Sequence, residues 1–180
     1  MDWWEWLNEL KNLPLPTVNT NIEFIWSLIS EIPDPEIPVL TITDLGVIRD
    51  VNWIGEKLIV TITPTYTGCP AMTQFEDDIV STLKRNGYHN VEIAITYDPP
   101  WTTDWLSEEA KLKLQKYGIA PPQEKTTDKK YLIGKEKKGV ICPQCKSENT
   151  NMISQFGSTA CKALYQCQDC KEPFDYFKCL

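Results

Sequence analysis

The sequence predicts an α+β fold: a two-layer α-β-β-α-β-α domain over residues 21–122, followed by a small cysteine-rich β ribbon over residues 139–180. Three observations predict it. Leu58, Val60 and Ile62 alternate with Ile59, Thr61 and Thr63, the period-two pattern of a half-buried strand. Met72, Phe75, Ile79, Val80 and Leu83 recur at the spacing of one helix face. Cys142-Pro-Gln-Cys145 and Cys167-Gln-Asp-Cys170 are two C-x-x-C pairs separated by 21 residues, in a segment too short to bury a large core of its own.

The elements follow in order. Residues 1–20 read as a terminal helix and linker, with Trp3, Trp6, Leu7 and Leu10 near helical spacing and Leu13-Pro-Leu-Pro16 ending it. That helix either docks on its own domain or meets a partner or a second copy, since aromatic clusters mark interfaces. Ile22, Ile25, Leu28 and Ile29 predict an amphipathic helix over 21–32, capped by Asn19 or Asn21 and stopped by Ile32-Pro-Asp-Pro-Glu-Ile-Pro38. Val47–Trp53 and Lys57–Thr63 predict an antiparallel hairpin around Ile54-Gly55-Glu56. A helix over about 70–86, ended by Gly87, leads to a third strand over 91–97. After the loop Asp98-Pro-Pro-Trp-Thr-Thr-Asp-Trp-Leu106, Ser107 caps a last helix, and Gly118-Ile119 fits a Schellman ending. Residues 123–138 are a basic linker.

Composition narrows the class. With 42% hydrophobic and 24% charged residues the chain is globular, and no apolar run approaches a membrane span. The start carries no basic region ahead of an apolar core, so a cytoplasmic protein without a membrane role is expected. In that setting seven cysteines point to metal or reactive thiols rather than disulfides. Residues 1–122 hold 18 acidic and 8 basic side chains, residues 123–138 hold 3 and 6, and the remainder 4 and 4. An acidic body of this kind argues against nucleic-acid binding, which needs excess Lys and Arg.

Chemistry concentrates in Thr63-Pro-Thr-Tyr-Thr-Gly-Cys-Pro-Ala-Met-Thr-Gln74, where a strand gives way to a helix. Gly68 permits a sharp turn, and Pro70 suits the first helical position. A helix N-terminus favours a thiolate, so Cys69 is a candidate soft-metal ligand or nucleophile; the alternative is an inert packing cysteine. Asp34, Glu36 and Asp44 lie near one turn and could ligate a hard metal or move protons, although such residues more often close turns through their own backbone. His89 has no identifiable orienting partner for a general-base role.

Cys142, Cys145, Cys167 and Cys170 have near-standard spacing for a closed four-cysteine zinc site, and metal ligation would supply the folding energy that this short segment lacks. Cys161 and Cys179 stand outside the pairs. They are either packing residues or ligands of a second, labile site with Cys69.

Asp34-Pro-Glu36, Asp44-Leu-Gly46, Thr65-Tyr-Thr-Gly-Cys-Pro70 and the tryptophan loop resemble the small iron–sulfur assembly domain family that includes the SufT-type proteins. Phe156-Gly-Ser-Thr-Ala-Cys-Lys-Ala-Leu-Tyr165 and Glu172-Pro-Phe-Asp-Tyr-Phe-Lys178 extend the resemblance to the D-protein family of aerobic phenylacetate degradation, across residues 21–180. The resemblance implies an accessory protein rather than an enzyme: one that assists iron or iron–sulfur cluster assembly for the phenylacetyl-CoA epoxidase. It implies Cys69 as the active thiol, with Asp34, Glu36, Thr65 and Thr67 around it, and transient iron or cluster besides structural zinc. The implied partners are the epoxidase subunits or their iron–sulfur reductase, and a homodimer is a further way to complete a cluster site. Two other classes stay open: a structural or docking subunit of the oxygenase complex, and a thiol enzyme using Cys69 as nucleophile.

Overall fold

The structure is a computed structural model, which describes residues 18–66, 68–123 and 140–178. The Trp-rich segment, Thr67, most of the basic linker and Cys179 lie outside the described residues.

Helix α1 spans Ile22–Ile29, with Asn21 as its N-cap accepting from the Glu23 amide at 2.8 Å. It buries Ile25 and Ile29 and ends before the prolines, three residues earlier than the apolar pattern alone suggests. Strands β1 (Ile48–Ile54) and β2 (Lys57–Ile62) pair antiparallel around Gly55, which adopts φ +61°. Leu58, Val60 and Ile62 are fully buried, so the alternation read from sequence is the core face of β2. Helix α2 (Ala71–Arg85) presents Phe75, Ile79 and Leu83 to the same core. Strand β3 (Val91–Ile95) then pairs parallel to β2, giving sheet order β1-β2-β3 with β2 central. A parallel neighbour requires a crossover, and α2 is that crossover. Both α1 and α2 pack against each other and against the sheet, which makes the two layers.

A 3-10 turn, Thr103–Trp105, and helix α3, Glu108–Tyr117, complete this part. Ser107 caps α3 by accepting from the Ala110 amide at 3.0 Å. Gly118 at φ +96° and the Ile119 amide bonded to the Leu114 carbonyl at 3.0 Å form the expected Schellman ending. The tryptophan loop folds back on the Asp44-Leu-Gly46 motif. Trp101 donates its indole N–H to the Leu45 carbonyl at 2.7 Å, and Arg49 stacks over Trp105 at 3.9 Å.

The C-terminal part is a three-stranded antiparallel sheet of β4 (Thr150–Ser154), β5 (Lys162–Cys167) and β6 (Pro173–Phe177), in that order. It joins the first part through backbone and side chains alike. The Ala120 amide donates to the Asp175 carbonyl at 2.8 Å, and the Phe177 amide donates to the Ala120 carbonyl at 2.9 Å. Phe177 and Cys161 belong to the hydrophobic cluster of the first part, where Phe177 meets Trp101 edge to face at 6.3 Å. No helix among the described residues is long and apolar enough to cross a membrane.

Candidate functional site

Cys69 sits between β2 and α2 as the sequence anticipates. Pro70 already has helical dihedrals, and Cys69 offers its carbonyl to the Met72 amide at 3.3 Å, which starts the helix. Its own amide turns back to the Tyr66 carbonyl at 3.2 Å. Gly68 takes φ +79° in open space, so the backbone conformation rather than crowding calls for glycine there. Cys69 is half-buried and lines a small cavity of about 20 Å³ together with Asp34, Glu36, Thr65 and Cys161.

Each neighbour reaches the cavity for a local reason. Asp34 lies in the proline-rich loop and is 5% exposed; its Oδ1 accepts from the Glu36 amide at 2.9 Å and the Ile37 amide at 2.6 Å. Those bonds close the turn that leaves the half-buried Glu36 on the cavity wall. Burial nevertheless outweighs them and raises the Asp34 carboxyl above its usual value. Cys161, buried in the turn before β5, lies with its thiol 3.8 Å from Glu36 Oε2 and 2.9 Å from Thr159 Oγ1. Burial and the Glu36 charge together push its thiol up.

Tyr66 is a neighbour of Cys69 that sequence reasoning did not single out. Burial, then the charge of Cys69 and a hydrogen bond to it, and then Glu36 and Cys161 raise its hydroxyl to about 12. It therefore keeps its proton beside Cys69. The available signal was a hydroxyl-bearing aromatic three residues before the cysteine in a tight turn. Thr67 and Cys179 lie outside the described residues. Asp44, by contrast, closes its own turn, accepting from the Thr41 amide at 3.0 Å and pairing with Lys113 at 2.9 Å. His89 is exposed beside a different cavity, with Trp53 and Tyr88.

The other thiols form a closed group. The sulfurs of Cys142, Cys145, Cys167 and Cys170 all lie within 4.8 Å of one another, with Cys142–Cys170 at 3.7 Å and Cys145–Cys167 at 3.5 Å. Four sulfurs at about 2.3 Å from one ion stand near these separations, so the quartet fits a tetrahedral thiolate-bound metal. Both C-x-x-C turns are followed by a lysine in left-handed backbone, Lys146 at φ 65° and Lys171 at φ 66°. Amides converge on the sulfurs as well. The Cys170 amide donates to Cys167 Sγ at 3.5 Å and, with the Asp169 amide and neighbouring thiols, overcomes burial to bring the Cys167 thiol down to about 7.

Two family models match the chain. "Iron-sulfur cluster assembly protein" covers residues 22–95 and "PaaD zinc beta ribbon domain" covers residues 126–178. An Escherichia coli (strain K12) protein whose name makes it the D component of a 1,2-phenylacetyl-CoA epoxidase is 50% identical over 156 residues, covering 87% of this chain and 92% of its own. An Fe-S protein maturation auxiliary factor of Porphyromonas gingivalis (strain ATCC BAA-308 / W83) is 39% identical, covering 51% of this chain and 89% of its own. The auxiliary factor YitW of Bacillus subtilis (strain 168) is 33% identical, covering 51% and 91%. Matches of that extent do not span the 125 positions between Glu36 and Cys161. With half of its residues identical along nearly the whole of the E. coli protein, and with both regions in one chain, this protein belongs to the D-protein family of the 1,2-phenylacetyl-CoA epoxidase.

Proposed function

We propose that the protein is an accessory factor that helps to supply iron or an iron–sulfur cluster to a phenylacetyl-CoA epoxidase system, with Cys69 as the working ligand and a structural zinc in the ribbon. The observation that carries this reading is the contrast between two thiol settings. The quartet is closed by four converging sulfurs. Cys69 is half-buried beside a carboxylate and a hydroxyl donor, at a cavity with room for one small group. A closed four-sulfur set retains its metal, whereas a partly exposed thiol with few protein ligands binds a soft or borderline metal exchangeably. The names of the relatives support the same reading: one belongs to the epoxidase system and others to cluster maturation.

In this role Cys69 binds the cargo through its sulfur, and the thiol proton passes to solvent as the metal takes its place. The protonated Tyr66 hydroxyl stands beside that sulfur, and Glu36 adds an oxygen ligand on the same cavity wall. Asp34 holds the loop that carries Glu36. Thr65 and, beyond the described residues, Thr67 flank the same turn.

Replacing Cys69 with Ser exchanges sulfur for oxygen at nearly constant shape, so the fold and the ribbon metal persist while the soft ligand is lost. Cells carrying Cys69→Ser should make folded epoxidase and reductase chains, leave one of them short of iron or cluster by metal and sulfide analysis, and lose growth on phenylacetate. Fully loaded enzymes that still require the protein at every turnover would refute the maturation role and make it a subunit of the reaction.

A further inference from the structure

The ribbon does more than dock against the assembly domain: it completes the wall of the Cys69 cavity. The turn ahead of β5 brings Cys161 to that wall, 3.8 Å from Glu36 Oε2, and Phe177 from β6 lines it too. Cys161 and Glu36 are 125 positions apart, so only the docking of the two parts brings this thiol to that carboxylate. The Cys161 thiol donates a hydrogen bond to the Glu36 carboxylate, so two potential ligand atoms face one another on the wall that Cys69 shares. A cation taking the place of that proton is favoured by both anionic ligands at once.

We infer that Cys161 is the second thiolate of the Cys69 site, so that one divalent ion of the ferrous class is held between the assembly domain and the ribbon by Cys69, Cys161 and Glu36. The inference rests on the proposed role of Cys69 as cargo ligand and specifies the form of the cargo. A cavity of about 20 Å³ admits one water-sized sphere or a bare ion, and an assembled cluster does not fit inside it. Two thiolates and a carboxylate suit a borderline cation better than Mg or Ca, which prefer oxygen throughout. Among the described residues, the ribbon quartet is the group of three or more ligand atoms that already converges. The Cys69 set must therefore contract around its ion, and each thiol releases its proton to solvent as it does so. Such a site holds its ion less firmly than the quartet and yields it to a client offering more ligands.

The test uses the full chain with its ribbon loaded with zinc, titrated anaerobically with Co(II) as a spectroscopic stand-in for Fe(II). Cobalt-edge X-ray absorption counts the sulfurs on cobalt alone while zinc content is followed separately. The inference expects two sulfurs, and thiolate-to-cobalt absorption falling to roughly half in Cys161→Ser, as for loss of one of two soft ligands. One sulfur in the native chain, with Cys161→Ser indistinguishable and Cys69→Ser inactive in binding, overturns the inference and leaves the Cys69 reading standing. If Cys69→Ser also binds cobalt as the native chain does, both fall. Four sulfurs with release of zinc place cobalt in the ribbon and overturn the inference as well. The sulfur count on the native chain decides the matter even if Cys161→Ser does not fold.

Discussion

Phe177→Ala tests whether the two parts of the chain are energetically joined. Phe177 is 2% exposed on the last strand of the ribbon, yet it packs in the core of the assembly domain against Trp101 at 6.3 Å. Truncating a buried Phe costs about 3–5 kcal/mol, combining lost transfer energy with the cavity left behind. Taking about 3 kcal/mol for the docked state alone, the undocked population rises about a hundredfold, at about 1.4 kcal/mol per tenfold. The amides of Ala120 and residue 177 report undocking directly, since each donates across the junction, at 2.8 Å and 2.9 Å. Hydrogen exchange at these two amides should accelerate by about two orders of magnitude. The Lys146 amide, bonded to the Cys142 carbonyl at 3.0 Å inside the metal turn, should keep its protection. Acceleration below about fivefold would mean that the docking does not depend on this side chain, contrary to its burial. Equal acceleration at Lys146 would mean that the ribbon has unfolded rather than undocked.

Three further perturbations have defined outcomes. Cys142→Ser should lower the bound zinc measured by mass spectrometry and remove exchange protection across residues 140–178 while α2 remains protected, because metal binding in a small ribbon is folding energy. Gly157→Ala places a Cβ 2.6 Å from Asp175 Oδ1, and Asp175 anchors Ser158 at 2.9 Å; displacement of Asp175 should cost about 1–3 kcal/mol in thermal or urea unfolding. Asp44→Asn removes the Lys113 ion pair but keeps an acceptor for the Thr41 amide, and the part-exposed pair is worth only about 0.5 kcal/mol at neutral pH. Burial opposes ionisation of Asp44, but the Lys113 and Thr41 bonds prevail and hold its carboxyl below the ordinary 3.8. Its stabilisation is therefore complete above that value and lost as pH falls through the lower folded value, so Asp44→Asn should flatten the acid limb of the stability curve.

Local signals carried most of the fold. The burial of Leu58, Val60 and Ile62, the Asn21 and Ser107 caps and the Gly118 ending each depend on residues a few positions apart, and each was legible. The parallel seat of β3 beside β2 was not, because strand order is decided by how α2 packs and not by β3 itself. The same division holds at the site. Two C-x-x-C turns announce a converging thiol quartet because each turn already places two sulfurs side by side. The Cys161–Glu36 approach spans 125 positions and depends on the docking of β6 through Ala120 and Phe177, which no local pattern records. Asp34 was legible as a carboxylate that closes its own turn, but that this turn sets Glu36 on the Cys69 cavity depends on tertiary packing.

The docking also bears on why a protein with the proposed delivery role would carry a four-cysteine ribbon at all. A ribbon held by four sulfurs is rigid near its metal, and β5 runs directly from the Cys161 turn into Cys167, one of those ligands. A metal held by the quartet would thus anchor one end of the strand whose other end carries the second thiol of the proposed cargo site. In the proposed role, release of the cargo would need no change at the quartet. Loosening the Ala120–Phe177 junction would move Cys161 away from Glu36 while the quartet stays closed, lowering the number of ligands on the proposed ion and its affinity together. A client that binds at this junction would couple its own docking to that release, because any ligand that favours the undocked arrangement weakens the site by its differential affinity. Phe177→Ala should accordingly weaken Co(II) binding at the Cys69 site while ribbon zinc stays bound, and unchanged cobalt affinity in that variant would separate the junction from the site.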